Sequence, residues 1–305
     1  MGKQVQDPPV TAVVLNWHGR PDTLRCVHAL AALSYPQLSL VLIDNGCAEF
    51  SAAELTAIFP RTQYLRTPVN LGFAGGADLG MRQALAAGAH YVWFLNSDAA
   101  PEPEALHELV AVAAGDPRNA IVSPKILLPA PQRLDSIALR VDLRSGRLYL
   151  IGHDEIDQGQ YDSLGAVDAV SGCAMLVSRA ACEQFGGFDE SFFAYVEDVD
   201  LCLRARAAGW RVCVAPRARV VHHRAPATTA ARQSVSSLYY ATRNHLTLIR
   251  RHAPPPRLPR LVTVLTLNLA YALRTGGRRP WPRLRAVVRG WLDYARGISG
   301  PGSGF

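Results

Sequence analysis

The first hundred residues repeat one pattern, an apolar run followed by a polar or glycine-bearing break and then a helical stretch. Val10 to Leu15 (VTAVVL) is continuously apolar between Pro8-Pro9 and Asn16-Trp17-His18-Gly19, as expected of a strand buried on both faces. Pro21 to Leu33 follows with Leu24, Val27, His28 and Ala31 on one side of a helix. A second buried run, Leu38 to Ile43, ends in Asp44-Asn45-Gly46. A short strand, Gln63 to Arg66, leads to Asn70-Leu-Gly-Phe-Ala-Gly-Gly and a helix over Ala77 to Ala87, and Tyr91 to Leu95 ends in Asn96-Ser97-Asp98. Four strand and helix alternations within about 115 residues predict an α/β fold with a mostly parallel, doubly wound sheet. Such sheets bind ligands at the carboxyl ends of their strands, where Asn16, Asp44 and Asp98 all fall.

The polar strand ends admit plain explanations as well. Asp44-Asn45-Gly46 has the composition of a turn. The glycines between Gly72 and Gly76 lack the Lys-Ser/Thr of a P-loop and the G-x-G-x-x-G spacing of a dinucleotide site. Their position just before a helix would let backbone amides approach a diphosphate. Asp98, a carboxylate at the edge of a parallel sheet, suits a divalent cation such as Mg2+ or Mn2+, whose remaining ligands are usually substrate phosphates.

A second dense region runs from Phe188 to Asp200. Asp189, Glu197, Asp198 and Asp200 lie here among Phe192, Phe193 and Tyr195. Leu201, Ala205 and Ala208 follow at helical spacing, which puts Glu197, Asp198 and Asp200 in the first turn of a helix. There they either cap free amides and answer the helix dipole, or one of them, raised in proton affinity by aromatic walls, serves as a general base. Val221-His222-His223 closes a later strand, and alternation sends the two histidines to opposite sides.

Length and apolar content, 305 residues and 49% hydrophobic, allow one large core or two modest ones. The six cysteines show no C-x-x-C spacing and read as buried free thiols of a reducing compartment. Met1 to Pro9 is too polar and short for a signal peptide. From Ala253 onward there are nine arginines and one acid, Asp293, so that segment carries +8 and residues 1 to 252 carry −1. The basic surplus therefore belongs to a C-terminal appendage, and the rest of the chain is not a nucleic-acid binder by charge.

Taken in order, Asn16-Trp17, Ile-Asp44-Asn45-Gly46, Asn70-Leu-Gly-Phe-Ala-Gly-Gly, Phe-Leu-Asn96-Ser-Asp98, Ser171-Gly172-Cys-Ala-Met-Leu, Gly187-Phe-Asp189-Glu and Tyr-Val-Glu197-Asp198-Val-Asp200-Leu resemble the family 2 glycosyltransferases of GT-A fold, in the rhamnosyltransferase and galactofuranosyltransferase-like branch. The resemblance covers roughly residues 10 to 250 and implies a catalytic domain over 1–252, with a nucleotide-binding half over about 10–123 and an acceptor half over about 124–252. It implies that Asn16, Asp44, Asn70, Gly72, Phe73, Gly75, Asn96 and Ser97 line the pocket of a nucleotide-diphosphate sugar. Asp98 matches the last aspartate of the D-x-D signature, whose first member is here Asn96, and with His222 would hold Mg2+ or Mn2+. His222 is favoured over His223 on spacing within the resemblance. Asp198 matches the catalytic base, and Glu197, Asp200, Trp17 and Arg243 are assigned to acceptor or supporting roles.

The implied activity is metal-dependent inverting transfer from dTDP-rhamnose or a UDP-sugar to a hydroxyl of a glycan or lipid-linked acceptor in cell-surface polysaccharide synthesis. A non-catalytic nucleotide-sugar-binding protein of the same fold is the alternative. A dehydrogenase is disfavoured, because Asn-Trp-His-Gly-Arg follows the first strand in place of a glycine fingerprint.

Pro124 to Gly165 reads as loops and a small β-hairpin, and Val167 to Val177 as a returning strand bent at Gly172. A helix over Gln233 to Arg251 follows, with Leu238, Tyr239, Thr242, His245, Leu246 and Ile249 inward. Beyond Pro254-Pro255-Pro256, residues 253–305 combine an apolar stretch, Leu261 to Leu273, with arginines, Trp281 and Trp291. The stretch is too short to span a bilayer, which needs about 20 residues. It predicts either an amphipathic hairpin on the inner face of the plasma membrane of a cytoplasmic protein, or a helical pair packed on the catalytic domain or on another subunit, as in a homodimer. The final GISGPGSGF has the composition of a disordered tail.

Overall fold

The computed structural model describes residues 7–129, 132–223, 235–277 and 279–302. Its first half follows the alternation read above: β1 Val10–Asn16, α1 Arg20–Ala31, β2 Leu38–Asn45, α2 Ala52–Ile58, β3 Thr62–Thr67, α3 Gly72–Ala86 and β4 Tyr91–Asn96. After β5 Ala99–Pro101 come α4 Ala105–Gly115, β6 Asn119–Leu127, β7 Leu134–Ser136 and a hairpin of β8 Ala138–Asp142 with β9 Arg147–Ile151. The chain then forms β10 Ala174–Ser178, α5 Arg179–Phe185, a 3-10 turn at Glu190–Phe192, α6 Glu197–Ala207 and β11 Arg211–His222. Three helices close it, α7 Val235–His252, α8 Leu258–Thr275 and α9 Trp281–Ala295.

The sheet order is β3-β2-β1-β4-β10-β6-β11-β5, with β7 paired to β6. β3, β2, β1 and β4 run parallel, as their uninterrupted apolar character requires. The second half is mixed, because β10 runs antiparallel to both β4 and β6 while β6 and β11 are parallel. Side-chain alternation divides each central strand between two layers. Val10, Ala12, Val14, Trp93 and Leu95 pack with helices α1, α2 and α4, whereas Val13, Val92 and Phe94 pack with α3, α5 and α6. Fully burying one such side chain contributes about 1.5–3 kcal/mol.

The strand expected over Val167 to Val177 begins only at Ala174. Residues ahead of it bond elsewhere: Val167 N donates to Val212 O, and Gly172 N donates to the Asp198 carboxylate at 2.8 Å. The helix expected from Gln233 is described from Val235, and Gln233 and Ser234 lie outside the described residues. The six cysteines are free thiols, five of them buried and Cys47 partly exposed.

Helices α8 and α9 lie against α7. Ala286 joins Leu238, Tyr239 and Tyr240 in one apolar cluster, and a Cβ on Gly290 would stand 2.6 Å from Tyr239 O, so only glycine allows this approach. Asp293, 1% exposed, accepts from the Tyr239 hydroxyl at 2.8 Å. The tail expected to be disordered is held over its described part. Gly300 N donates to Ser191 O at 2.7 Å, Gly300 O accepts from Arg243 at 2.7 Å, and Gly302 N donates to the Tyr240 hydroxyl at 2.9 Å. Composition misjudged this segment because its partners are supplied by α7 and the Glu190–Phe192 turn and not by its own side chains.

Candidate functional site

Parallel pairing sets the ends of β1, β2 and β4 side by side, with Asn16 opposite Asp44 and Leu15 opposite Asn96. Asn16 and Asp44 are fully buried there. Asn16 Oδ1 accepts from the Thr23 hydroxyl at 2.8 Å and from Gly19 N at 3.3 Å, and its Nδ2 donates to Glu49 at 2.8 Å. Asp44 accepts from Glu49 N at 2.7 Å and from the Tyr64 hydroxyl at 2.9 Å. Both residues, expected to touch the donor, are bonded to the two loops above the strand ends. Trp17 is 60% exposed, and Asn70, Asn96 and Ser97 are partly exposed.

Asn45 performs the same service for the third loop. It donates to Asn70 Oδ1 at 3.0 Å and to Gly72 O at 3.1 Å, and accepts from Leu71 N at 2.9 Å. The glycines that follow were expected to form a loop open to a diphosphate. They lie instead inside α3 and permit close packing: a Cβ would fall 2.3 Å from Phe193 O at Gly72, 3.1 Å from Leu71 Cβ at Gly75 and 2.4 Å from Leu15 Cδ2 at Gly76. Gly72 also has φ +73°, a conformation that glycine adopts without strain. Phe73, next in sequence, packs edge-on against Phe188 and lies beside Gly172.

The first charged cluster forms where β5 pairs with the end of β11, His222 opposite Ala99. His222 Nε2 lies 3.2 Å from Asp98 Oδ1, and its Nδ1 lies 2.6 Å from Asp135 Oδ2. The backbone N of His223 donates to Asp98 O at 2.7 Å. Burial opposes charge on His222, but its neighbours Cys173, Asp135 and Asp98 outweigh this and raise it to about 12. Burial would lift the Asp98 carboxyl, yet the hydrogen bond from His222 holds it below its ordinary value.

These residues fit a divalent cation. Two ligands at right angles on a small cation stand about 3 Å apart, close to the Asp98 to His222 separation, and a carboxylate on the far ring nitrogen is the usual support of a metal-binding histidine. Among the described residues no three His, Cys, Asp or Glu side chains gather as a closed cation cage, so substrate oxygens or water would have to complete the set. Asp135 lies in the turn-rich stretch where sequence offered no signal for it.

The second cluster opens α6. Asp198, partly exposed, accepts from Gly172 N and from its neighbour Val199 N, each at 2.8 Å. Glu197 is 7% exposed, and its Oε2 has no hydrogen-bond partner among the described residues. Burial raises both carboxyls, Glu197 further because the charge of Asp198 adds to it, while backbone N–H groups favour the ionised form of Asp198.

The backbone ahead of this pair is strained. Phe193, Tyr195 and Val196 all have positive φ, at 64°, 68° and 72°, which is unusual outside glycine and costly for a β-branched residue. Asn244, 1% exposed on α7, restrains the segment by donating to the carbonyl oxygens of Phe192 at 2.8 Å, Ala194 at 2.7 Å and Tyr195 at 2.9 Å. Arg243, expected on a surface or near donor phosphates, is 1% exposed and bonds Phe192 O at 3.0 Å and Gly300 O at 2.7 Å. Asp200, expected in an acceptor or supporting role, is 1% exposed and bound to Arg204 and His252, each at 2.8 Å. Both are structural supports.

A short piece of backbone connects the two clusters. Gly172 N binds Asp198, the adjacent Cys173 side chain lies against His222, and Cys173 O accepts from Asn96 N at 2.8 Å. Asp98 with His222 on one side and Asp198 on the other, far apart in sequence, are thus linked through Gly172-Cys173 beside the end of β4.

A family model described as "Glycosyltransferase like family 2" matches residues 8–239. The N-acetylglucosaminyl-diphospho-decaprenol L-rhamnosyltransferase of Mycobacterium tuberculosis is 27% identical over 312 residues, covering 92% of this chain and 98% of that protein. The galactofuranosyltransferase GlfT1 of Mycobacterium tuberculosis is 42% identical over 108 residues, 34% of this chain and 35% of the relative. Among solved structures, the mannosyltransferase PcManGT from Pyrobaculum calidifontis in complex with GDP-Man and Mn2+ is similar with a TM-score of 0.60 at 16% identity, covering 95% of this chain and 88% of that one. S. aureus TarS 1-349 in complex with UDP is similar with a TM-score of 0.57 at 12% identity, covering 95% and 92%.

Proposed function

The chain belongs to the family 2 glycosyltransferases, and on that premise we propose that it transfers a sugar, with inversion, from a nucleotide-diphosphate sugar to a hydroxyl of a lipid-linked glycan, Asp198 acting as base. Glycosyl transfer in cell-wall polysaccharide synthesis is the activity of this branch. The rhamnosyl and decaprenol terms in the name of the 27% identical relative favour dTDP-rhamnose over a UDP-sugar and a polyprenyl diphosphate-linked acceptor.

In this reading Asp198 takes the proton of the acceptor hydroxyl as that oxygen forms its bond to the anomeric carbon. The bond from the anomeric carbon to the diphosphate breaks on the opposite face, and the nucleoside diphosphate leaves with the electron pair. Mg2+ or Mn2+, when bound, would neutralise charge growing on that diphosphate. Asp98 and His222 would hold the ion and Asp135 would fix the ring of His222.

The observation that carries this proposal is the bond from Gly172 N to Asp198, because the same short segment reaches His222 through Cys173. The test is Asp198→Asn, assayed with dTDP-rhamnose and UDP-sugars in the presence of Mn2+. Transfer should fall by a factor of about 10²–10⁴ with donor affinity unchanged. Donor binding by the wild type without any transfer would favour a non-catalytic nucleotide-sugar-binding protein.

A further inference from the structure

The C-terminal helices bury one face and leave the other bare. The side of α9 bearing Ala286, Val287 and Gly290 is buried, with Gly290 set against α7. Outside, Trp281 is 70% exposed, Val288 43% and Trp291 40%. Trp281, Leu284, Val288 and Leu292 line a shallow groove along this helix with Arg285 and Arg289 beside them. On α8, Leu258, Val262, Leu267 and Leu273 are exposed in the same way. The one acid beyond Ala253, Asp293, is buried and paired with Arg289 at 3.0 Å. From Ala253 onward the described residues therefore offer this surface guanidinium groups, indoles and aliphatic side chains, and no exposed carboxylate.

The chemistry that matches is a negative layer over an apolar interior. We propose that the outer faces of α8 and α9 rest on an anionic lipid bilayer, with Trp281, Val288 and Trp291 at headgroup depth and the arginines on lipid phosphates. Among the described residues no helix is long and apolar enough to cross a membrane, so the contact is in the plane of the surface. A second copy of the chain fits less well. A twofold contact through this face would oppose arginine to arginine with no acid to separate them. Duplex nucleic acid supplies the charge but no apolar layer for Val288 and Leu292.

The test is co-sedimentation of the full chain with vesicles of phosphatidylcholine alone and of phosphatidylcholine mixed with phosphatidylglycerol. Wild type should pellet with the mixed vesicles, about tenfold more weakly with phosphatidylcholine alone, and less as salt rises. Trp281→Ala with Val288→Ser should lose about tenfold, and Arg285→Glu should weaken binding most at low salt. These side chains are exposed, so the variants should keep the wild-type melting temperature and their transfer to a water-soluble acceptor. Pelleting does not read catalysis, so a failed transferase assay would leave this result standing. Absence of binding to the mixed vesicles, equal binding of the double variant, or a dimer or duplex-DNA complex that the double variant abolishes would overturn the proposal.

Discussion

Asn244 donates to Tyr195 O at 2.9 Å, tying helix α7 to the residue two before the Glu197-Asp198 pair. The two residues are 49 positions apart, and the bond is one of three that Asn244 makes to carbonyl oxygens of a segment in which Phe193, Tyr195 and Val196 have positive φ. The direction in which Asp198 faces is thus set partly from another helix.

Replacing Asn244 with alanine should strand those carbonyl oxygens and let the segment relax. The expected cost is about 1–3 kcal/mol of stability. Beyond stability, kcat should fall well below wild type at a temperature where both proteins are folded, with KM for the donor nearly unchanged. Equal loss in kcat and donor affinity would point to general loosening of the fold.

The proton on Glu197 gives stability a signature in pH. Its carboxyl is raised in the folded state, first by burial and then by Asp198, so the folded protein binds a proton that the unfolded chain has released. Stability from this group falls as pH climbs above its ordinary value of about 4.3 and until the raised folded value is passed, by at most about 1.4 kcal/mol per pH unit. Glu197→Gln has no such proton to lose. Its melting temperature should gain on wild type steadily over that window, and parallel curves for the two proteins would contradict the assignment.

Asp135→Asn should leave the fold intact and loosen the hold on the ring of His222. Losing a carboxylate behind a metal-binding histidine typically costs about 10–100-fold in metal affinity. Calorimetric titration of nucleoside diphosphate with Mn2+ should show that loss, while titration without metal should match wild type. Asp98→Ala should remove the metal-dependent part altogether.

Truncation after Gly297 removes the acceptor that Gly300 O provides to Arg243 and the donor that Gly302 N provides to Tyr240. A buried guanidinium that loses a partner is costly, so unfolding in urea should shift to lower concentration by the equivalent of about 1–3 kcal/mol. A chain with a loose tail would show no shift.

Local pattern was enough for the frame. The apolar runs of Val10 to Leu15, Leu38 to Ile43 and Tyr91 to Leu95 can be satisfied only by burial on both faces, so the parallel half of an α/β sheet followed from the residues. The first-turn position of Glu197, Asp198 and Asp200 followed as well, because helix spacing is a property of near neighbours. Alternation left His222 and His223 undivided, and pairing of β5 with β11 turned the ring of His222 toward Asp98.

What lies between distant segments was decided by tertiary packing. Asp135 meets His222 across 87 positions, and no periodicity in its own turn-rich stretch marks it. Glycines that looked suited to phosphate were needed where α3 presses on Leu15 and Phe193. Arg243 looked like a surface cation and Gly300 like loose tail, and each is ordered by the other. A hydrogen bond of that kind depends on where two chain segments arrive in space, and that position is fixed only when the whole core has formed.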